Sequence, residues 1–365
     1  MMQMYYPYVL ITLIVLFFLV LNFYAYKNSI TLPIYFELIL ALALIIFAGL
    51  RSADVDYMGY IDIFNKVDAA GHKSLLRQAL KAKDILFGFM VIVKSSLDLS
   101  VPTFLLACAT LSVGIKYVAF RYAFGNAILG LGLYFFTFYF LHDFTQIRLA
   151  IALACCFLAL VLLLKEHRIW YVFFCVVAVG FHAQTAFFVV ATSPLLTNLK
   201  YKHLFVFISI IVVGFLFSSF DLFLNITASR TLAYPGYTHL KTTALIAFVM
   251  NAAMVALTYL SSINHFKQSF DQEIAKVSLM LYFGGFLFFF ITLASSGALA
   301  WRVYEMFCAF GIFIMITALR STPKKTTVLT IFIYYIFNFL LIIRSDLLVE
   351  YSITSSLGEF NGVLQ

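Results

Sequence analysis

Charge is scarce in this chain. Only 11% of its 365 residues are Asp, Glu, Lys or Arg, whereas 64% are hydrophobic and 43 are Phe. So little charge excludes a soluble globular domain, and apolar runs of about 18 or more residues identify membrane spans. Cysteine is sparse too: Cys108, Cys155, Cys156, Cys175 and Cys308 all fall inside apolar runs. None is spaced for a disulfide framework or a metal, so they read as small core residues. The chain lacks a Walker loop, a dinucleotide fingerprint, an HExxH and a CxxC. No nucleotide energy source, dedicated metal cage or cofactor is therefore expected. No basic stripe suggests nucleic acid, and the net charge of +8 reads as a topology signal.

What is present is a series of long apolar segments. They lie near 5–26, 31–50, 101–120, 127–142, 145–164, 202–221, 243–262, 275–295, 298–319 and 327–343, which predicts an all-α polytopic membrane protein of about ten spans. The first run is long for a signal peptide and lacks a preceding basic residue or a small-residue cleavage site, so a retained helix is expected. Two irregular pieces stand out. One is 85–97, carrying Lys94; the other is 169–196, interrupted at Phe181-His182-Ala183-Gln184-Thr185. Broken segments at membrane depth are tolerated where they line a cavity. The whole chain, 1–365, reads as a single integral membrane domain, with 51–84 an outer amphipathic segment and 222–242 an outer loop.

Orientation follows from the basic residues. Lys27 is placed inside, 85–97 dips in from outside without crossing, and 169–196 rises and returns as two half-length helices. The inner connections then collect the basic excess, including Lys116, Arg121, Lys165, Arg168 and Lys200, while Glu37 is left within a span and both termini face outward. Arg51, Asp54, Asp56, Arg148, His182, Arg230 and Arg302 all come out at or near the outer face.

The densest polar cluster is Arg51-Ser52-Ala53-Asp54-Val55-Asp56, where the second apolar run ends. Beyond it Tyr57, Tyr60, Ile61 and Phe64 recur at i, i+3, i+4 and i+7, the spacing of an amphipathic surface helix that Asp56 is placed to cap. Charges anchoring a helix end would account for any one of these residues; their clustering suggests a site. Arg148 follows Asp143 and Gln146, which resemble a capping box, so it sits beside a helix N-terminus where a phosphate would be welcome. His182 and Gln184 form a polar island between apolar half-helices, and such groups are costly in lipid unless they face a wet interior. Arg302 lies just inside a helix end with Tyr304 and Glu305 close behind, and Glu305 is spaced to pair with it. Arg230 shares the 222–242 loop with Tyr234-Pro235-Gly236-Tyr237, a turn whose aromatic residues can stack on sugar faces. The charged stretch 65–84, which ends at Asp84, has a solvated face as its simplest reading.

An arginine closing the second span, followed by Asp56, Tyr60 and Phe64, resembles the opening signature of the EpsG-like branch of the Wzy polysaccharide polymerases. Here Ser52-Ala53-Asp54-Val55 stands where that family usually has a glycine-bearing turn. Arg148 with Leu149-Ala150-Ile151-Ala152, His182 with Thr185, and Arg302 with Tyr304 resemble the family's later arginine and histidine segments. The resemblance covers about residues 5–343 and rests on the order and common side of these motifs.

What it implies is a bacterial inner-membrane glycosyltransferase of GT-C type that lengthens O-antigen or a related surface glycan. The growing chain, held on undecaprenyl diphosphate, would be moved to a lipid-linked repeat unit on the outer side of the membrane. Arg51, Arg148, Arg230 and Arg302 are the expected diphosphate ligands, and His182 or Asp56 the expected base. Asp54, Tyr60, Gln184 and Tyr304 are the expected glycan contacts. Neither cofactor nor metal is required, and a chain-length regulator is the expected protein partner. Two other readings compete. A GT-C enzyme using lipid-monophosphate sugars, or an O-antigen ligase, would share these features, with Asp54 and Asp56 as an acidic pair. A flippase for lipid-linked glycans would share the broken helices, but no internal repeat relates the two halves and the inner halves of the spans are nearly bare of polar groups.

Overall fold

The computed structural model describes residues 2–51, 56–69, 84–196, 242–266, 269–293, 297–321 and 325–344. Among them all regular structure is helical. Among the described residues, five helices are long and apolar enough to cross a membrane: Tyr6–Lys27, Val101–Phe124, Ile147–Leu164, Ala300–Arg320 and Lys325–Ile343. The protein is a helical membrane protein.

The chain divides into two compact units. The first comprises Met1–Val161, Val172–Ala183 and Tyr335–Gln365. Its helices are α1 (Met2–Lys27), α2 (Ile34–Gly49), α3 (Tyr57–Ala69), α4 (Ile85–Ser96), α5 (Val101–Phe124), α6 (Ile128–Tyr134), most of α7 (Ile147–Leu164) and most of α8 (Arg168–Phe181). Helices α2 and α5 pack so closely that a Cβ on Gly49 would lie 2.7 Å from the Cα of Leu106. Only glycine permits that approach. At the other end of this pair, Glu37 accepts from Arg121 Nη1 at 2.6 Å and from the Ala127 amide at 3.1 Å. A carboxylate in an apolar helix thus finds two donors, as its burial demands.

The short helix α4 lies alongside α3. Phe87 meets Tyr60, the Lys94 ammonium lies over Phe64, and both phenylalanines contact Phe104 in the first turn of α5. Contacts near both of its ends tie α4 to α3.

Two expectations are corrected here. The apolar run 127–142 is not one continuous span: α6 passes into a π-helical turn at Phe135–Tyr139, and the chain leaves regular helix before Ile147. Lys116 does not belong to an inner connection. It is fully buried within α5 and ion-paired to Asp143 at 2.9 Å. A lysine this deep needs a counter-charge, and sequence periodicity does not reveal where one lies.

The second unit comprises Leu162–Tyr171 and Gln184–Tyr334. It holds α9 (Ala186–Thr192), α10 (Thr242–Ser262), α11 (Ser269–Leu293), α12 (Gly297–Cys308), α13 (Gly311–Arg320) and the first half of α14 (Lys325–Arg344). Tyr171 and Thr192 share a hydrogen bond of 2.8 Å between their hydroxyls. A straight helix would hold residues 21 apart at about 30 Å, so the chain reverses between them, as the interrupted segment 169–196 suggested. Helices α12 and α13 are joined through i→i−3 bonds at Phe310, Ile312 and Phe313, a tightening that bends the path without opening the ladder. The expected span 202–221 and the outer loop 222–242, apart from Thr242, lie outside the described residues.

Candidate functional site

The irregular segment 140–146 organises the first unit. Asp143 anchors it from below. Its carboxylate receives the Lys116 ammonium on both oxygens at 2.9 Å, the Ser112 hydroxyl at 2.6 Å and the Tyr134 hydroxyl at 2.6 Å. Lys116 also donates to the Ala150 carbonyl at 3.2 Å. With four donor contacts the buried carboxylate is well satisfied, so the non-helical backbone around it is fixed. The Gln146 amide donates to the Leu141 carbonyl rather than to Asp143, so the expected capping box does not form.

Each neighbour of Asp143 then meets a different part of the unit. The Phe144 ring carries the Arg51 guanidinium 5.3 Å from its centroid. The Thr145 carbonyl accepts from the Tyr60 hydroxyl at 3.2 Å. Arg148 stands in the first turn of α7, 5.6 Å from the Phe87 ring centroid. Arg51 itself is wholly buried just past the end of α2, where it donates to the Ala48 carbonyl, one of the groups a helix C-terminus leaves open.

Asp84 joins this arrangement from the start of α4. Rather than capping its own helix, its carboxylate takes a hydrogen-bonded ion pair from Arg148 and the Ala183 amide at 3.2 Å. Its other near neighbour is His182 Nδ1, at 3.8 Å. That is ion-pair range but too long for a hydrogen bond. Gly180 makes the approach of α8 possible, because a Cβ there would lie 2.6 Å from Leu86 Cγ. The result is a partly enclosed Asp–Arg–His cluster. The Tyr60 hydroxyl lies at its edge, within electrostatic reach of Arg148.

Of the residues singled out from sequence, Arg51, Tyr60, Arg148 and His182 are gathered around segment 140–148 in the first unit. Asp56 is half-buried, and its carbonyl accepts the first bond of α3 from the Tyr60 amide, the N-cap position. Gln184, Arg302 and Tyr304 belong to the second unit. There Tyr304 is buried against Phe289 and Trp301, with Arg302 half-exposed. Asp54 and Arg230 lie outside the described residues.

Sequence reasoning missed Asp84, His142, and the Lys116–Asp143 pair. Asp84 was hidden at the end of a charged stretch, although it is the last charge before the apolar run 85–97. Lys116 within an apolar helix was itself the signal for a buried acid.

Together the helices and the buried cluster define a polytopic membrane protein with a polar centre near the start of α7. The chain belongs to the EpsG family, whose pattern it matches over residues 34–353. No curated protein and no solved structure matches it.

Proposed function

We propose that this protein is a surface-polysaccharide polymerase. It transfers a glycan chain from undecaprenyl diphosphate to the sugar end of a lipid-linked repeat unit, on the outer side of the bacterial inner membrane, within a GT-C-like bundle of about ten spans. The observation that carries this reading is the Asp84–Arg148–His182 cluster at the head of α7 in a member of the EpsG family.

The chemistry needs two things. The bond between the anomeric carbon and the diphosphate oxygen breaks as the bond to the acceptor oxygen forms, so negative charge grows on the leaving diphosphate. Arg148 is suited to meet it: a guanidinium has five donors, only part of which Asp84 occupies, and the α7 N-terminus adds its own donors and dipole. Arg51, Arg230 and Arg302 are the further ligands proposed for the diphosphate. The acceptor hydroxyl must also lose a proton. His182 is the proposed base, with the Asp84 carboxylate steadying the imidazolium that forms, and Asp56 is the alternative base. Asp54, Tyr60, Gln184 and Tyr304 are the proposed glycan contacts. Undecaprenyl diphosphate departs, and a chain-length regulator is the proposed partner.

The test is the glycan ladder of a deletion strain complemented with wild type, Arg148→Ala or His182→Ala at matched membrane levels. Wild type restores a ladder, and the variants leave core carrying a single repeat unit. A full ladder in the deletion strain itself overturns the reading. Loss of every repeat unit from the core on deletion points instead to a ligase or a flippase.

A further inference from the structure

One group in the first unit has no counterpart in the chemistry above. His142 is completely buried, and among the described residues neither ring nitrogen has a hydrogen-bond partner. Its backbone amide is bonded to the Phe138 carbonyl at 2.7 Å, and its ring stacks on Phe138 with centroids 5.4 Å apart and planes at 15°. The neighbouring Asp143 is held by four donor contacts, so the ring is fixed in place. It lies within electrostatic reach of Lys116, Asp143 and His182.

A buried polar group left without a partner is costly, and proteins keep such groups where a ligand supplies what is missing. The character of the ring says which ligand. Full burial and the Lys116 ammonium both oppose a second cation here, so the imidazole is neutral, with one nitrogen donating and the other accepting. An anion would have use for only the donor. A hydroxyl suits either nitrogen, because its oxygen can donate to the one or accept from the other, and neighbouring sugar hydroxyls could serve both. The sugar end of an acceptor repeat unit is rich in such groups.

We propose that His142 is a substrate-binding residue of the same reaction centre, hydrogen-bonded in the working complex to a sugar hydroxyl of the acceptor. This rests on the polymerase reading and adds a binding determinant six residues before Arg148.

The deciding variants are His142→Phe and His142→Gln. Phenylalanine keeps the stack on Phe138 and removes the unpartnered atoms. Glutamine keeps one donor and one acceptor. Purified protein in lipid nanodiscs is given undecaprenyl-diphosphate-linked repeat units extracted from the deletion strain, with rate measured against their concentration and thermal unfolding followed in parallel. The expected result is that His142→Phe unfolds at the wild-type temperature or above it yet shows a KM raised at least tenfold, while His142→Gln recovers part of that loss. Wild-type KM and kcat in His142→Phe overturn the inference. So does a lowered unfolding temperature with unchanged KM, which marks the nitrogens as partners of buried water only. If wild-type protein itself does not polymerise the extracted units, the polymerase reading has failed, and that outcome is distinct from both.

Discussion

Asp84 and Arg148, 64 positions apart in the chain, form an ion pair in which the carboxylate side chain is 8% exposed and the guanidinium 27%. The same carboxylate accepts from the Ala183 amide and faces His182. One acid therefore ties together the start of α4, the start of α7 and the break after α8. Asp84→Asn keeps the shape but removes the charge that pairs with Arg148 and faces His182. We expect at least about a 100-fold loss of polymer formation, the scale of a disabled general base. Unfolding stability should fall by about 1.5–3 kcal/mol, as for a lost hydrogen bond to a charged group. A glycan ladder that survives intact in this variant would remove Asp84 from the mechanism.

The Lys116–Asp143 pair makes a different prediction, because both side chains are fully buried. Lys116→Met strands a carboxylate that keeps only Ser112 and Tyr134 as donors. Breaking a buried pair from one side typically costs about 3–5 kcal/mol, whereas replacing both partners by apolar groups is often neutral. The double variant Lys116→Met with Asp143→Leu should thus recover most of the stability that the single variant loses. Activity should not recover with it, because Asp143 also fixes the segment that presents Phe144 to Arg51 and Thr145 to Tyr60. Thermal unfolding in detergent and the ladder assay separate the two effects.

These residues show what was legible in the chain and what was not. Arg51, Arg148 and His182 were visible because each interrupts or closes an apolar run, and a polar group there needs a reason. The short helix in 85–97 and the reversal within 169–196 were visible because the first run is too short for a span and the second is interrupted by polar residues. Asp84 was not, because it ends a stretch in which charge is common and nothing local sets it apart. Asp143 was read as a helix cap because its spacing to Gln146 fits one; its actual partner is 27 residues away in sequence, and capping patterns carry no information at that distance. Lys116 was read as an anchor at a span end. Only the packing of α5 against segment 140–146 shows that it is interior.

Gly49 tests how the site is positioned. It lies two residues before Arg51 on the face of α2 that meets α5, and an added Cβ would come within 2.7 Å of the Leu106 Cα and 2.6 Å of its Cδ1. The Leu106 side chain can turn away, but its backbone cannot without moving α5. Gly49→Val should therefore destabilise the protein by about 1–3 kcal/mol, the usual cost of overpacking. It should also displace Arg51 from Phe144 and lower activity well beyond what stability explains. Gly59 offers the control, since nothing lies within 4 Å of a Cβ there. Gly59→Ala should leave stability and ladder length near wild type. If both variants behave alike, close packing at Gly49 does not position Arg51.

Orientation in the membrane is open to direct measurement, because the five native cysteines are all buried and give a quiet background for thiol labelling. Asp98 and Glu166 are both exposed at turns with positive φ, 49° and 64°. Asp98 joins α4 to α5; Glu166 joins α7 to α8. In the proposed topology the first faces outward with the Asp84 cluster, and the second lies inside beside Lys165 and Arg168, where basic residues collect. Glycine is the least disturbing partner at such φ values, so each cysteine should cost some stability without altering the fold. A membrane-impermeant maleimide added to intact spheroplasts should label Asp98→Cys at once and label Glu166→Cys only after permeabilisation. The reverse pattern would put the Asp84–Arg148–His182 cluster on the inner side. There it could not meet repeat units that have already been flipped, and the polymerase reading would fall with it.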